Sequence, residues 1–188
     1  MATLDINTTS GDCGGDSGGG FSATGTAVEI GSNTAGGQTC RVWIPFVVPL
    51  WKSLVITSAT LKVRAAGNYS NGTCKIKVGC EAADNPSTPT TKTDLYNRTL
   101  STAYLTNNNV SSWTAGNEYT FDITTAVQEI LNRAGWASGN TMAVLIHDNG
   151  STADASRGLA TEENVTYAQA ILEIVYTGGG QVIIFESD

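Results

Sequence analysis

Between Tyr119 and Leu131 the chain changes its hydrophobic period. Tyr119, Phe121 and Ile123 alternate with polar neighbours, and then Ala126, Val127, Ile130 and Leu131 recur at helical spacing. This pattern predicts a strand running directly into a short helix near residues 124–134. Thr125 with Gln128 fits a capping box, and Gly135 fits the residue after the helix end. Period-two alternation returns at Leu172, Ile174 and Tyr176. Further strands are predicted at 26–31, 38–46, 56–65, 73–82, 118–124, 141–148, 157–162 and 168–177. Thr3 to Thr8 reads as an edge strand. The segment 85–112, with Pro86, Pro89 and many Thr and Asn, reads as a long irregular crossing. The expected fold is all-β: an antiparallel two-sheet β-sandwich, jelly-roll-like, with one short embedded helix.

Three segments, in this order, carry a likeness. Ile56-Thr57-Ser58-Ala59-Thr60-Leu61-Lys62-Val63 is followed by Asp122-Ile123-Thr124 with Val127, and then by Leu172 to Tyr176. Together they resemble the DNRLRE-type β-sandwich domains over residues 21–177, with Ala170 where that family usually has proline. The resemblance implies a sandwich whose relatives include carbohydrate-binding modules and phage structural proteins.

The 188 residues form one domain by length, long enough to bury ~70% of the surface of the unfolded chain. Residues 1–20 are a strand and a glycine-rich loop that something else must order, and 21–177 are the sandwich. Residues 178–188 are a glycine linker and a β-prone arm, in which Val182, Ile183, Ile184 and Phe185 are expected to add a strand to a partner or to fold back on the sandwich.

Seventeen acidic residues against ten basic ones give a net charge of −7, which argues against nucleic acid as a partner. No apolar stretch reaches membrane-span length, and Met1 to Asp5 has neither the basic nor the apolar region of an export signal. The expectation is synthesis in a host cytoplasm without export by that route.

Cys74, Ile76, Val78 and Cys80 alternate onto one strand face, so the two thiols lie ~20 Å apart and are expected to be free core residues. Cys40 is left to pair with Cys13 or with a neighbouring strand. Zinc is not expected, because no Cys-x-x-Cys occurs and His147 is the sole histidine. Asp12, Asp16, Asp148 and Asp154 are the candidates for calcium, without the spacing of a calcium loop, and no cofactor is expected.

Gly15-Asp16-Ser17-Gly18-Gly19 spells the nucleophile loop of chymotrypsin-like proteases, but Ser17 precedes His147 and the flanks expected of a triad are missing. No catalytic activity is expected. Trp43, Trp51, Trp113 and Trp136 are the aromatics that a sugar-binding face would use. Trp43 alternates with Val42 and Ile44, so it is expected on the opposite sheet surface.

The functional expectation is a non-enzymatic virion structural protein. It would be a phage capsid decoration or other particle-surface subunit that binds the major capsid or another shell protein through its terminal segments and self-associates, for instance as a trimer. The alternative is an extracellular carbohydrate-binding module with polysaccharide as partner.

Overall fold

The computed structural model describes residues 1–33 and 37–178. It is an all-β sandwich of two antiparallel sheets with two short helices. The strands are β1 (Ala2–Asn7), β2 (Cys13–Asp16), β3 (Phe21–Ser22), β4 (Ala27–Asn33), β5 (Gln38–Val47), β6 (Val55–Arg64), β7 (Cys74–Glu81), β8 (Leu100–Val110), β9 (Glu118–Asp122), β10 (Thr141–Asp148), β11 (Ser156–Ala160) and β12 (Ile171–Thr177). Helix α1 (Lys92–Asn97) precedes β8, and α2 (Thr124–Leu131) follows β9. The smaller sheet has the order β1-β12-β6-β9, and the larger runs β11-β4-β5-β10-β7-β8, with β2 beside β5 and β3 beside β2.

The alternation seen in the sequence is what closes the sandwich. Val42, Ile44 and Phe46 of β5, Val144 and Ile146 of β10, and Cys74, Ile76, Val78 and Cys80 of β7 point inward from the larger sheet. Ala59, Leu61 and Val63 of β6 with Leu172 and Ile174 of β12 meet them from the smaller one. Each fully buried aliphatic side chain of this core stabilises the fold by roughly 1.5–3 kcal/mol. The helix α2 covers one end with Ala126, Val127, Ile130 and Leu131.

Its entry differs from the expected capping box. Thr124 is occupied by the sheet: its hydroxyl donates to Asp122 (2.6 Å) and accepts from the Ala59 N–H (2.9 Å). Gln128 turns away from the helix start, accepting from Ile56 N–H (2.8 Å) and donating to Leu54 C=O (3.2 Å), so no side chain caps α2. The helix stops at Leu131 with Asn132 as its cap, short of Gly135. Gly135 instead lies so close to the Asp84 carboxylate that a Cβ would collide with it.

The segment 85–112 is not an irregular crossing. It holds α1, whose N-terminus is capped by the Thr91 hydroxyl accepting from Asp94 N–H (3.1 Å), and the eleven-residue β8 at the edge of the larger sheet. Leu95 of α1 lies over the outer face of that sheet, where Cys13, Trp43, Ala143 and Leu145 form a second small core. Under this cover Trp43 Nε1 donates to Glu81 (2.7 Å), and Arg98 bridges Glu81 (3.0 Å) and Asp94 (2.9 Å). The middle of the larger sheet is therefore buried on both faces.

Residues 1–20 are part of both sheets: β1 lies at an edge of the smaller one, and the glycine-rich loop supplies β2, ordered by pairing with β5. Two strands share that edge of β5. Ser32 and Asn33 of β4 pair with Thr39 and Gln38, after which β2 takes Cys40 to Trp43. The change occurs at Gly31, whose φ of +86° lets β4 swing off towards β11, and where a Cβ would collide with Ala155 C=O and lie 2.7 Å from Cys74 Sγ.

Candidate functional site

Three of the four tryptophans offered as ligand-facing are core residues. Trp43, Trp113 and Trp136 are 1–2% exposed. Trp43 does lie on the opposite surface from Val42 and Ile44, but beneath α1. Trp113 stacks on Tyr119 with ring centroids 4.6 Å apart, and Trp136 Nε1 donates to Leu50 C=O (2.9 Å). Only Trp51 of the four, 53% exposed, presents its ring to solvent. The four indoles do not form one platform.

The groups that could carry covalent or proton chemistry are mostly withdrawn from solvent. All four cysteines are free and buried. Cys13 lies opposite Trp43 and Cys40 opposite Asp16, so the pairing left open for them is not made. Burial pushes the Cys13 and Cys40 thiols up to about 12 and Cys74 to about 11, and raises Cys80 as well, so all four stay protonated and weakly nucleophilic.

His147 lies in register between Arg41 of β5 and Lys77 of β7. Burial, reinforced by these two cations, lowers it to about 4, and its Nε2 has no partner among the described residues. The Ser17 hydroxyl accepts from Thr39 N–H (3.1 Å), extending the β2–β5 ladder, and no hydrogen bond joins Ser17 to His147 among the described residues.

The four aspartates offered for calcium sit apart in separate local networks. Asp16 accepts from Gly20 N–H (3.3 Å), Asp148 from Gly150 and Ser151 N–H (3.0 and 3.1 Å), and Asp154 from Asn71 Nδ2 (3.2 Å). Asp12 is 1% exposed; one oxygen accepts from Glu162 N–H (3.1 Å) and the other has no partner among the described residues. Burial, with the Glu163 and Glu162 charges adding to it, raises Asp12 to about 7. Among the described residues no three His, Cys, Asp or Glu side chains group as a metal ion would require, and no helix is long and apolar enough to cross a membrane.

Among the described residues the exposed large apolar side chains are Met1, Val47, Trp51, Val55, Tyr104 and Val165, and three of them follow closely in the chain. Val47, Trp51 and Val55 are 43%, 53% and 59% exposed, on the end of β5, the connection after it and the start of β6. Thr177, the last residue of β12, pairs with Val55, and Gly178 at φ +95° lies beside Ser53 and Val55. β12 thus ends beside Val55. Val182, Ile183, Ile184 and Phe185 lie outside the described residues.

A groove of about 250 Å³ lies between the outermost strands of the two sheets, β8 and β9; Asn107, Ser111, Glu118 and Thr120 line it together with Val110, Trp113, Tyr119 and Phe121, and its surface is chiefly polar. Each of these strands pairs on one side only among the described residues, and on β8 the Thr102 and Ala103 N–H groups donate to the Glu129 carboxylate (2.9 and 2.7 Å).

The chain matches no family model, and no curated protein matches it. Its reading therefore rests on its own geometry. The sequence had given no sign of this surface beyond Trp51; the signal available was the run Val47 to Val55, in which apolar residues outnumber the inward-facing positions of a strand end.

Proposed function

We propose that this chain is a non-enzymatic structural subunit of a virus-like particle, a capsid decoration or other surface subunit built on a DNRLRE-like sandwich. The observation that carries this reading is the exposed Val47, Trp51 and Val55, with Val55 beside the end of β12, which the apolar run Val182 to Phe185 follows in sequence. An apolar patch beside a tethered β-prone segment is suited to burial against another protein, and solvent-exposed aromatic anchors are where such binding energy concentrates. The burial of the thiols and Asp12 agrees with a body that serves as a rigid scaffold. The partner would be the major capsid protein or another shell protein, with symmetric self-association as a trimer one way of repeating the contact.

Quantitative mass spectrometry of purified particles tests this. A fixed copy-number ratio to the main shell protein is expected, and absence from particles overturns it. Deleting residues 178–188, or replacing Trp51 by Ser, is expected to leave the sandwich folded and to abolish particle binding.

A second reading is favoured by Trp51 alone, because an exposed indole is what a sugar ring stacks on. Under that reading the protein is an extracellular carbohydrate-binding module, and titrating polysaccharides shifts tryptophan emission in the wild type but not in Trp51→Ser.

A further inference from the structure

The shared edge of β5 leaves a gap. Where β4 swings away at Gly31 and β2 takes its place, a cleft of about 290 Å³ opens between the β2–β3 hairpin and β4. Its walls are apolar: Phe21, Ala27, Val28 and Cys40, with Gly14, Gly15 and Gly20 contributing only backbone. Side chains at two of these glycines would fill it or disturb it, since a Cβ on Gly14 would press into Val28 at 2.7 Å and one on Gly20 would strike the Asp16 carboxylate.

The polar side chains lining the cleft are Asp16, Ser22, Glu29 and Asn33, and no lysine or arginine is among its lining residues. Asp16 uses one oxygen for Gly20 N–H (3.3 Å), and Glu29 accepts a long bond from Ser156 (3.4 Å). Neither carboxylate makes an ion pair among the described residues. Asn33 also lines the cleft, and its Oδ1 is buried with no donor among the described residues.

We propose that this cleft binds the side chain of an arginine presented by a partner protein. The aliphatic stem lies along Phe21, Ala27 and Val28, and the guanidinium donates to Asp16, with Glu29 adding charge. Three properties select this occupant. The acceptors call for a ligand rich in donors, the two unpaired carboxylates call for a cation, and the apolar walls call for carbon next to that cation. A bare calcium ion meets the second demand but not the third, and a neutral sugar meets the first but not the second. The inference stands whether or not the partner is a particle shell, because the isolated chain tests it.

The test is titration of the full chain with N-acetylarginine amide at low salt, followed residue by residue in ¹H–¹⁵N spectra. Saturable shifts are expected at Gly14 to Ser22, Glu29 and Asn33. Asp16→Asn combined with Glu29→Gln is expected to weaken binding roughly tenfold or more. Asp16→Asn keeps an acceptor for Gly20 N–H, and an unchanged thermal midpoint confirms that the variant is folded. No saturation by about 100 mM, well beyond a millimolar affinity, overturns the proposal. So does equal binding by the neutral N-acetylnorleucine amide, or an affinity indifferent to the two substitutions. Tighter binding of calcium, glucose or the free diamine putrescine at the same residues overturns the assignment to an arginine side chain.

Discussion

Replacing Asp12 by Asn should make the protein's stability respond differently to pH, by an amount that the structure sets. Asp12 is 1% exposed, has one oxygen without a partner among the described residues, and sits beside the charges of Glu162 and Glu163. Its carboxyl is raised from 3.8 to about 7, chiefly by burial. That displacement corresponds to about 4 kcal/mol of folding free energy at most, at about 1.4 kcal/mol per pH unit. Below pH 4 the folded and unfolded chains both hold the proton, and Asp12 makes no difference. Between about 4 and 7 the unfolded chain gives up its proton while the folded chain keeps it, so stability falls as pH rises. Above 7 the carboxylate is buried as an ion and the penalty stays constant.

The assay is urea unfolding of the wild type and of Asp12→Asn at each pH from 4 to 8. The variant is expected to gain relative stability steadily, reaching about 2–4 kcal/mol by pH 8. Any fixed cost of an imperfectly bonded amide shifts the whole curve without changing its slope. His147 titrates in both proteins and cancels in the difference. A difference that stays flat across the range, or that runs the other way, refutes the argument that Asp12 is protonated in its buried site.

His147 carries the opposite dependence: lowered to about 4, it stays neutral in the folded chain while the unfolded chain protonates near 6.5, so stability falls as pH drops through that interval. An NMR titration of its ring should show a midpoint near 4, and a midpoint above 6 would contradict its buried placement. Arg157, 2% exposed, donates to the carbonyls of Ser111, Asn71, Ser156 and Val110. Arg157→Met, which strands those acceptors, is expected to cost about 3–5 kcal/mol in chemical denaturation, and a loss under about 1 kcal/mol would show that the loops re-satisfy themselves. Gly31 and Gly139 share a φ near +87°, but a Cβ meets Ala155 and Cys74 at the first and nothing within 4 Å at the second. Gly139→Ala should cost about 1–2 kcal/mol from backbone strain alone, and Gly31→Ala measurably more; equal losses would mean that the packing around Gly31 yields freely.

Most of the sandwich was legible because its strands have one buried and one exposed face. Leu61, Val63, Leu172 and Ile174 announce themselves by alternation, as does the switch to helical spacing after Ile123. Strand β8 did not, because it is an edge strand whose middle, Thr106 to Asn109, faces solvent at alternate positions and is polar throughout. Helix α1 was missed although Thr91 and Asp94 have the spacing of an N-cap, since six residues with one buried leucine leave no period to detect. The second core was written in the unbroken apolar runs of β5 and β10, which signal burial on both faces rather than one. The burial of Asp12 and Arg157 and the cleft beside Gly31 depend on which strands meet across the fold, and no local pattern encodes that.

The pairing of β1 with β12 bears on the order in which the two sheets can form. Among the described residues, residues 2–7 find their sheet partner, from Ala2 opposite Tyr176 to Asn7 opposite Ile171, near the end of the described chain, and β6 likewise waits for β12 on that side. During synthesis the larger sheet can assemble through β10 while the smaller one remains two strands, β6 and β9, with the interior apolar face of β6 uncovered. Completion of the smaller sheet therefore waits for β12 to insert between β1 and β6, and such long-range closure is slow and exposed to mispairing.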